Sequence, residues 1–70
     1  MLFITVNSTT LAAIAYDPAL QALHIRFRTS ALYCYFGVPR NVYEGLLAAD
    51  SKGNYFNRYI RGQFPFRKLK

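Results

Sequence analysis

An aromatic segment that runs directly into a Val-Pro pair constrains the fold of this chain most strongly. Tyr33 and Tyr35 stand two positions apart in an extended apolar stretch, so their side chains share one face of a predicted strand. Gly37 ends that strand, and Pro39 suits the first turn of a helix, where its missing N–H costs nothing. The segment therefore predicts a strand that is followed at once by a helix.

The residues before this segment predict two further strands. Within residues 22–28 the side chains alternate, apolar at 23, 25 and 27 and polar at 24, 26 and 28, which indicates a strand with one buried face and one basic, solvated face. Residues 11–16 form an apolar run, and Asp17 and Pro18 favour the first two positions of a type I turn. With residues 31–36 as the third strand, short turns predict an antiparallel meander.

Two helices are predicted after the meander. Val42 and Leu46 mark the apolar side of the first helix. Ser51 is a favourable N-cap for the second helix, and Gly62 is placed to terminate it. Residues 64–66 are expected to be extended, because the residue before a proline avoids the helical region. The expected fold is α+β: a three-stranded antiparallel meander, two helices and an extended C-terminal segment that can add an edge strand.

Length and composition predict one small domain, residues 1–70, without a cofactor or a metal. The chain has one cysteine and one histidine among its 70 residues, too few for an internal disulfide or a zinc site. A lone thiol fits a reducing compartment, and no apolar run approaches the length of a membrane span. We therefore expect a cytoplasmic protein that is not embedded in a membrane.

The charge balance predicts a polyanionic partner. The chain has nine Lys and Arg residues but only three Asp and Glu residues, which gives a net charge of +6. Such a balance attracts nucleic acids and nucleotides, and we expect RNA to be bound chiefly through its phosphates. The candidate phosphate-binding residues are Arg26, Arg28, Lys52, Asn54, Arg58, Arg61, Arg67 and Lys68.

Several motifs, in this order and spacing, resemble the KTSC domain family. They are Tyr-x-Tyr with Val-Pro, then Val-Tyr-x-x-Leu-Leu-x-Ala, then Ser-Lys-Gly-x-Tyr-Phe-Asn-x-x-Ile-Arg-Gly, and the resemblance covers residues 8–67. That family is named for its occurrence at the C-terminus of some lysyl-tRNA synthetases and also occurs as stand-alone bacterial proteins. The resemblance implies an RNA-binding domain and brings no catalytic residues. Two departures are Thr29-Ser30, where the family often has Asn-Gly, and Cys34, where the family often has a polar residue.

The turn before the third strand decides which way the two tyrosines point. A two-residue loop would place Tyr33 and Tyr35 on the open face of the sheet, as a stacking platform for bases. A three-residue loop with a bulge shifts the pairing by one residue and turns both tyrosines towards the helices. We favour the second register, because the Asn-Gly of the family suits a bulged turn. One such slip exchanges the two faces completely.

In the favoured register, the open face has an apolar centre and a cationic edge. Leu32, Cys34 and Phe36 would form the centre, beside His24 and basic residues of the preceding strand. The chain is 53% apolar, more than so small a core can bury, and exposed apolar patches tend to become interfaces. We therefore expect a homo-oligomer that associates through these three residues.

Catalysis is not expected from this sequence. The three carboxylates Asp17, Glu44 and Asp50 are far apart along the chain. Cys34 and His24 can face each other across neighbouring strands, but no third group is evident to orient the histidine. Two alternatives to an RNA-binding domain stay open: an oligomer that binds or sequesters a nucleotide, and a protein–protein interaction module whose charge is incidental.

Overall fold

A computed structural model describes residues 2–70 and has an α+β architecture. One antiparallel sheet packs against two helices, and its strands follow the order of the chain. The elements are β1 (Ile4–Thr5), β2 (Leu11–Asp17), β3 (Ala22–Phe27), β4 (Leu32–Tyr35), α1 (Arg40–Ala48), α2 (Lys52–Tyr59) and β5 (Phe66–Lys68).

The sheet has five strands, so the prediction of a three-stranded meander was incomplete. The central strands β2, β3 and β4 are the predicted meander, and β5 is the extended C-terminal segment paired to β4. The short strand β1 was not predicted. With two residues, both exposed, it carries no periodic pattern, and only its pairing to β2 makes it a strand.

The β3–β4 turn has the predicted three-residue, bulged form. The backbone N–H of Phe27 donates to the Ala31 carbonyl, and the N–H of Ser30 donates to the Phe27 carbonyl, each at 2.9 Å. Ser30 has a φ of +76°, the left-handed conformation in which the family often places glycine. As a result Tyr33 pairs with Ile25, which confirms that the tyrosines lie on the helix side of the sheet.

A bulge in β2 allows two residues that are three positions apart to face the core together. Leu11 pairs with Phe27 but Ala13 pairs with Arg26, so β2 carries one extra residue at this point. Leu11 and Ile14 can therefore both face the helices, although they are three positions apart. The buried core is completed by residues of β3, β4, the helices and the segments that connect them: Val6, Leu23, Ile25, Tyr35, Val38, Leu46, Phe56 and Ile60.

The helix ends largely follow the sequence signals. The Ser51 hydroxyl accepts a hydrogen bond from the Asn54 N–H at 3.3 Å, so the predicted N-cap is confirmed. Gly62 follows α2 with a φ of +77°, as a terminating glycine should. Pro39, expected in the first turn of α1, is instead its N-cap residue.

The two helices approach closely at a glycine. A Cβ atom at Gly45 of α1 would collide with the ring of Tyr55 on α2. The Tyr55 hydroxyl donates to the Val42 carbonyl at 3.0 Å, which ties the ring to α1. Neither helix in the described part of the chain, residues 2–70, has the length and hydropathy that a membrane span requires.

Candidate nucleic-acid interface

A cleft with aromatic walls opens on the helix side of the sheet. It has a volume of about 690 Å³ and lies between the β3–β4 turn, the C-terminal end of α2 and β5. We call it the aromatic cleft. Its lining is Thr9, Thr10, Phe27, Arg28, Thr29, Ala31, Tyr33, Tyr35, Phe56, Asn57, Arg61, Gly62 and Phe66.

The aromatic rings of the cleft differ in their exposure. Tyr35 and Phe56 are each 3% exposed and form its floor. Tyr33 is half-buried, and Phe66 is 57% exposed. The Phe66 ring lies 5.5 Å from the rings of both tyrosines, measured between centroids, with planes tilted by 39° and 35°. Of the predicted stacking residues, Tyr33 is thus accessible and Tyr35 is mostly covered, while Phe66 offers the largest open ring surface.

Arg61 brings positive charge to this cleft. Burial raises the pKa of Tyr35, the neighbouring Tyr33 phenol raises it further, and the Arg61 guanidinium acts in the opposite direction. Arg61 and Tyr35 both line the cleft. Arg61 itself is exposed, so an anion can reach it from solvent.

Arg28 borders the same cleft but also supports the structure. Its Nε donates to the Ser8 carbonyl at 2.9 Å, and its Nη2 donates to the Val6 carbonyl at 3.3 Å. These bonds tie the β3–β4 turn to the β1–β2 loop. They satisfy two donors and leave the positive charge unpaired, since carbonyl groups are neutral. Lys68 shares the tyrosine side of the sheet, because it pairs with Tyr33.

The predicted phosphate contacts on α2 lie on its exposed surface. Asn54 and Arg58 are exposed there, and the Arg58 guanidinium lies 5.8 Å from the centroid of the Tyr59 ring. Lys52, at the start of the helix, is half-buried and its Nζ donates to the Ala49 carbonyl at 3.1 Å. Asp50 lines the polar hollow beside it. This carboxylate opposes anion binding at the N-terminus of α2.

The remaining predicted phosphate contacts lie on the opposite, open face of the sheet. Arg67 pairs with Cys34 and Arg26 pairs with Leu32, so these four side chains share that face. The Arg26 guanidinium lies 5.9 Å from the centroid of the Phe3 ring. The eight predicted residues therefore do not form one site. They divide between the aromatic cleft, the exposed surface of α2 and the open face.

The apolar centre of the open face differs from its sequence prediction in one residue. Cys34 is only 4% exposed, because neighbouring side chains cover it, so it offers little surface to another chain. Leu32 is half-buried and Phe36 is 42% exposed. Phe3 and Leu69, which the sequence did not indicate, are exposed to a similar degree.

Cys34 and His24 meet across the strands, as their spacing permits. The Sγ of Cys34 lies 3.6 Å from the Nε2 of His24. Burial raises the pKa of the Cys34 thiol, partly offset by the positive charge of Arg67. A neutral thiol is a weak nucleophile. Among residues 2–70, no carboxylate lies within ion-pair distance of His24, and no group of three or more His, Cys, Asp or Glu residues is placed to hold a metal ion.

Most of the positive charge has no acidic partner. Within the described residues, the one ion pair joins Arg40 and Glu44 at 3.3 Å on the exposed side of α1. The other Lys and Arg side chains lack a carboxylate within ion-pair distance. Their charge is therefore available to an external anion, and no acidic residue lines the aromatic cleft.

Comparison with known proteins identifies relatives across nearly the whole chain. A lysine–tRNA ligase of Nostoc sp. is 44% identical over 57 residues, covering 81% of this chain and 10% of that enzyme. A protein of Tsukamurella paurometabola is 42% identical over 59 residues, covering 84% of this chain and 88% of that protein. The chain thus spans about a tenth of the length of the ligase, but most of the length of the smaller relative.

The fold is shared with a solved structure. The crystal structure of a KTSC domain protein from Yersinia pestis superposes with a TM-score of 0.95 at 36% identity, covering 99% of this chain and 97% of that one. Residues 7–64 match the KTSC domain itself. The chain therefore belongs to the KTSC domain family.

Proposed function

We propose that this KTSC domain is a binding module for RNA that acts chiefly through phosphate contacts and catalyses no reaction. The observation that carries the proposal is the set of unpaired cations beside the aromatic cleft. Arg61 and Arg28 border the cleft, and Arg58 lies in the last turn of α2, three residues before Arg61, which follows the helix. Cations next to accessible aromatic rings are the combination that single-stranded nucleic acid needs, for its phosphates and its bases.

The relatives support the proposal independently. A segment 44% identical to this chain is part of an enzyme whose name gives tRNA as a substrate. A basic domain attached to such an enzyme would raise the overall affinity for the same RNA, because a second, linked contact raises the effective concentration of the ligand. We propose RNA of this kind as the partner of the stand-alone domain as well.

A phosphorylated nucleotide is the second candidate ligand. The volume of the aromatic cleft, about 690 Å³, lies within the range of about 300–1,000 Å³ that small-molecule pockets occupy. A nucleotide fills such a cleft with one base and one phosphate group. Binding that does not increase with the length of the strand favours this candidate, whereas length-dependent binding favours RNA.

The dependence of affinity on salt tests the proposal. Each phosphate neutralised on a single strand lowers log affinity by about 0.7 per decade of salt, so four contacts give a slope near −3. Fluorescence anisotropy with a labelled single strand measures this slope. The double variant Arg58→Gln with Arg61→Gln is expected to flatten it by up to about 1.4, with little change in sequence preference.

A matched control separates local contacts from overall charge. Arg40→Gln also removes a cation from a helix, but Arg40 is paired with Glu44 on α1. We expect this variant to leave the slope nearly unchanged. Absence of binding to single strands and hairpins at about 50 mM salt contradicts the proposal, and so does binding that is insensitive to salt.

A further inference from the structure

The hydroxyl groups of the two tyrosines in the aromatic cleft differ from two others that have a structural role. The hydroxyls of Tyr16 and Tyr55 donate to backbone carbonyls and hold the β4–α1 connection and the two helices in place. Within residues 2–70, the hydroxyls of Tyr33 and Tyr35 have no hydrogen-bond partner, and neither is sealed from solvent. Both remain available as donors and acceptors inside the aromatic cleft.

The exposure of Phe66 is unusual for a large aromatic residue in a paired strand. It lies across the β4–β5 ladder from Tyr35, yet more than half of its surface is open to solvent. Its ring contacts the tyrosine rings at 5.5 Å between centroids, so no further ring inserts between them. The open part of Phe66 faces solvent at the cleft, and a planar, uncharged group can stack on it beside Tyr33.

The cleft also selects by charge. Arg28 and Arg61 border it, no carboxylate lines it, and Asn57 contributes an amide. A ligand that stacks a planar ring on Phe66 and places an anion against Arg61 matches both the aromatic and the basic part of this lining. The bases of a duplex are stacked on each other and cannot enter, whereas an unpaired nucleotide has both a free base and a flanking phosphate.

We infer that the aromatic cleft holds one unstacked base of a bound RNA strand, which contacts Phe66 and Tyr33 and places its flanking phosphate at Arg61. This inference rests on the proposed RNA binding and adds to it a site and a preference. The domain then discriminates unpaired RNA from double-helical RNA. A duplex also presents phosphates to the cations of the domain, so charge neutralisation alone does not provide that discrimination.

A fluorescent base tests the inference directly. A strand of about eight nucleotides with 2-aminopurine at its centre reports whether a base leaves its neighbours on binding. We expect the emission of 2-aminopurine to change on addition of the protein, and the same strand annealed to its complement to bind about tenfold or more weakly. Equal affinity for the single strand and the duplex overturns the inference.

Substitutions then locate the base. Phe66→Ala is expected to weaken single-strand binding by about tenfold and to abolish the emission change, while the salt slope stays near that of the wild type. The matched control is Phe36→Ala, which removes an exposed ring from the open face and is expected to bind as the wild type does. Tyr33→Phe removes only a hydroxyl and should leave the fold intact. A several-fold loss of single-strand affinity in this variant would independently place the base in the cleft.

The outcomes distinguish failure of this inference from failure of RNA binding as such. If Phe66→Ala and Tyr33→Phe bind like the wild type, with an unchanged salt slope, RNA binding stands and the cleft is not the site of a base. If no strand binds, the proposed function itself fails. Displacement of the strand by a short polyglutamate peptide at equal charge also overturns the inference, because the cleft then accepts anions without a base.

Discussion

Phe66 lies directly across the β4–β5 ladder from Tyr35, with ring centroids 5.5 Å apart, yet Phe66 is 57% exposed and Tyr35 only 3% exposed. The difference arises because Tyr35 is covered by Phe56 of α2, whose ring meets it edge-on at 5.5 Å, whereas Phe66 is on an edge strand. The two residues therefore have separate roles, one in the core and one at the surface of the cleft.

This separation predicts that truncating the two residues lowers stability to different extents. Tyr35→Ala should lower the free energy of unfolding by about 3 kcal/mol or more, as other buried aromatic truncations do. Phe66→Ala should lower it by less than about 1 kcal/mol, since most of the ring is already hydrated. Urea denaturation of both variants measures the difference. Similar losses in the two variants would show that Phe66 is a core residue.

The β3–β4 turn predicts a stabilising substitution. Ser30 adopts a φ of +76°, a conformation that costs residues with a Cβ atom about 1–2 kcal/mol. Ser30→Gly should therefore stabilise the domain by about 0.5–1 kcal/mol, after the entropy that glycine adds to the unfolded chain. Ser30→Ala is the control and should not stabilise the domain, because alanine also has a Cβ atom and keeps the strain of the positive φ. A Ser30→Gly variant with an unchanged melting temperature would contradict this account of the turn.

The sequence predicted the central part of the sheet and the helix caps because local rules decide them. Alternation in residues 22–28 marked β3, and Ser51 marked the start of α2. Both features depend on near neighbours, so a single sequence contains the information. The register of Tyr33 needed more than the residues of this chain: the bulged turn was favoured because the family that the chain resembles often has Asn-Gly there.

The edge strand β1 and the cleft depend on contacts between distant residues, and the sequence did not predict them, although it did indicate that the C-terminal segment can add an edge strand. Phe66 became a candidate only once β5 was seen to pair with β4. Phe64 and Phe66 stand two positions apart in the segment expected to be extended, and this spacing was a signal that an edge-strand assignment could have used. Phe3 reaches the open face only because β1 pairs with β2, and a two-residue strand has no periodicity to detect.

Burial of the Cys34 thiol predicts a loss of stability at alkaline pH. The folded chain raises the pKa of this thiol above its ordinary value of 9.0, so the unfolded chain releases the proton first as the pH rises. The contribution of the protonated Cys34 thiol to stability is therefore complete below pH 9.0 and is lost as the pH rises through the pKa of the folded chain. The raised pKa values of Tyr16, Tyr35 and Tyr55 extend the loss beyond pH 10.0.

Urea denaturation at a series of pH values between roughly 8 and 10 measures this effect. The variant Cys34→Ala removes the titrating group, so its stability should decline less steeply than that of the wild type over this interval. Parallel declines in the two proteins would show that the thiol titrates as freely in the folded chain as in the unfolded one.

Self-association through the open face stays a prediction. Phe3, Phe36 and Leu69 expose apolar surface there, beside Leu32. We expect a homodimer at micromolar concentration, measured by sedimentation velocity. Phe36→Lys should dissociate it, since a charge replaces apolar contact on a face that is already basic. Leu47→Lys changes a comparably exposed residue of α1 and should not. A monomeric mass up to about 1 mM would exclude the dimer.

Chemical-shift mapping of a ¹⁵N-labelled domain with a single RNA strand tests the central claim most directly. With a strand of about eight nucleotides at about 50 mM salt, we expect the largest shifts at the amides of Thr29, Asn57, Arg61, Gly62 and Phe66, around the aromatic cleft. The amide of Leu20, in the β2–β3 turn, should stay unchanged. Unchanged spectra, or shifts confined to the open face around Arg26 and Arg67, would contradict RNA binding at this cleft.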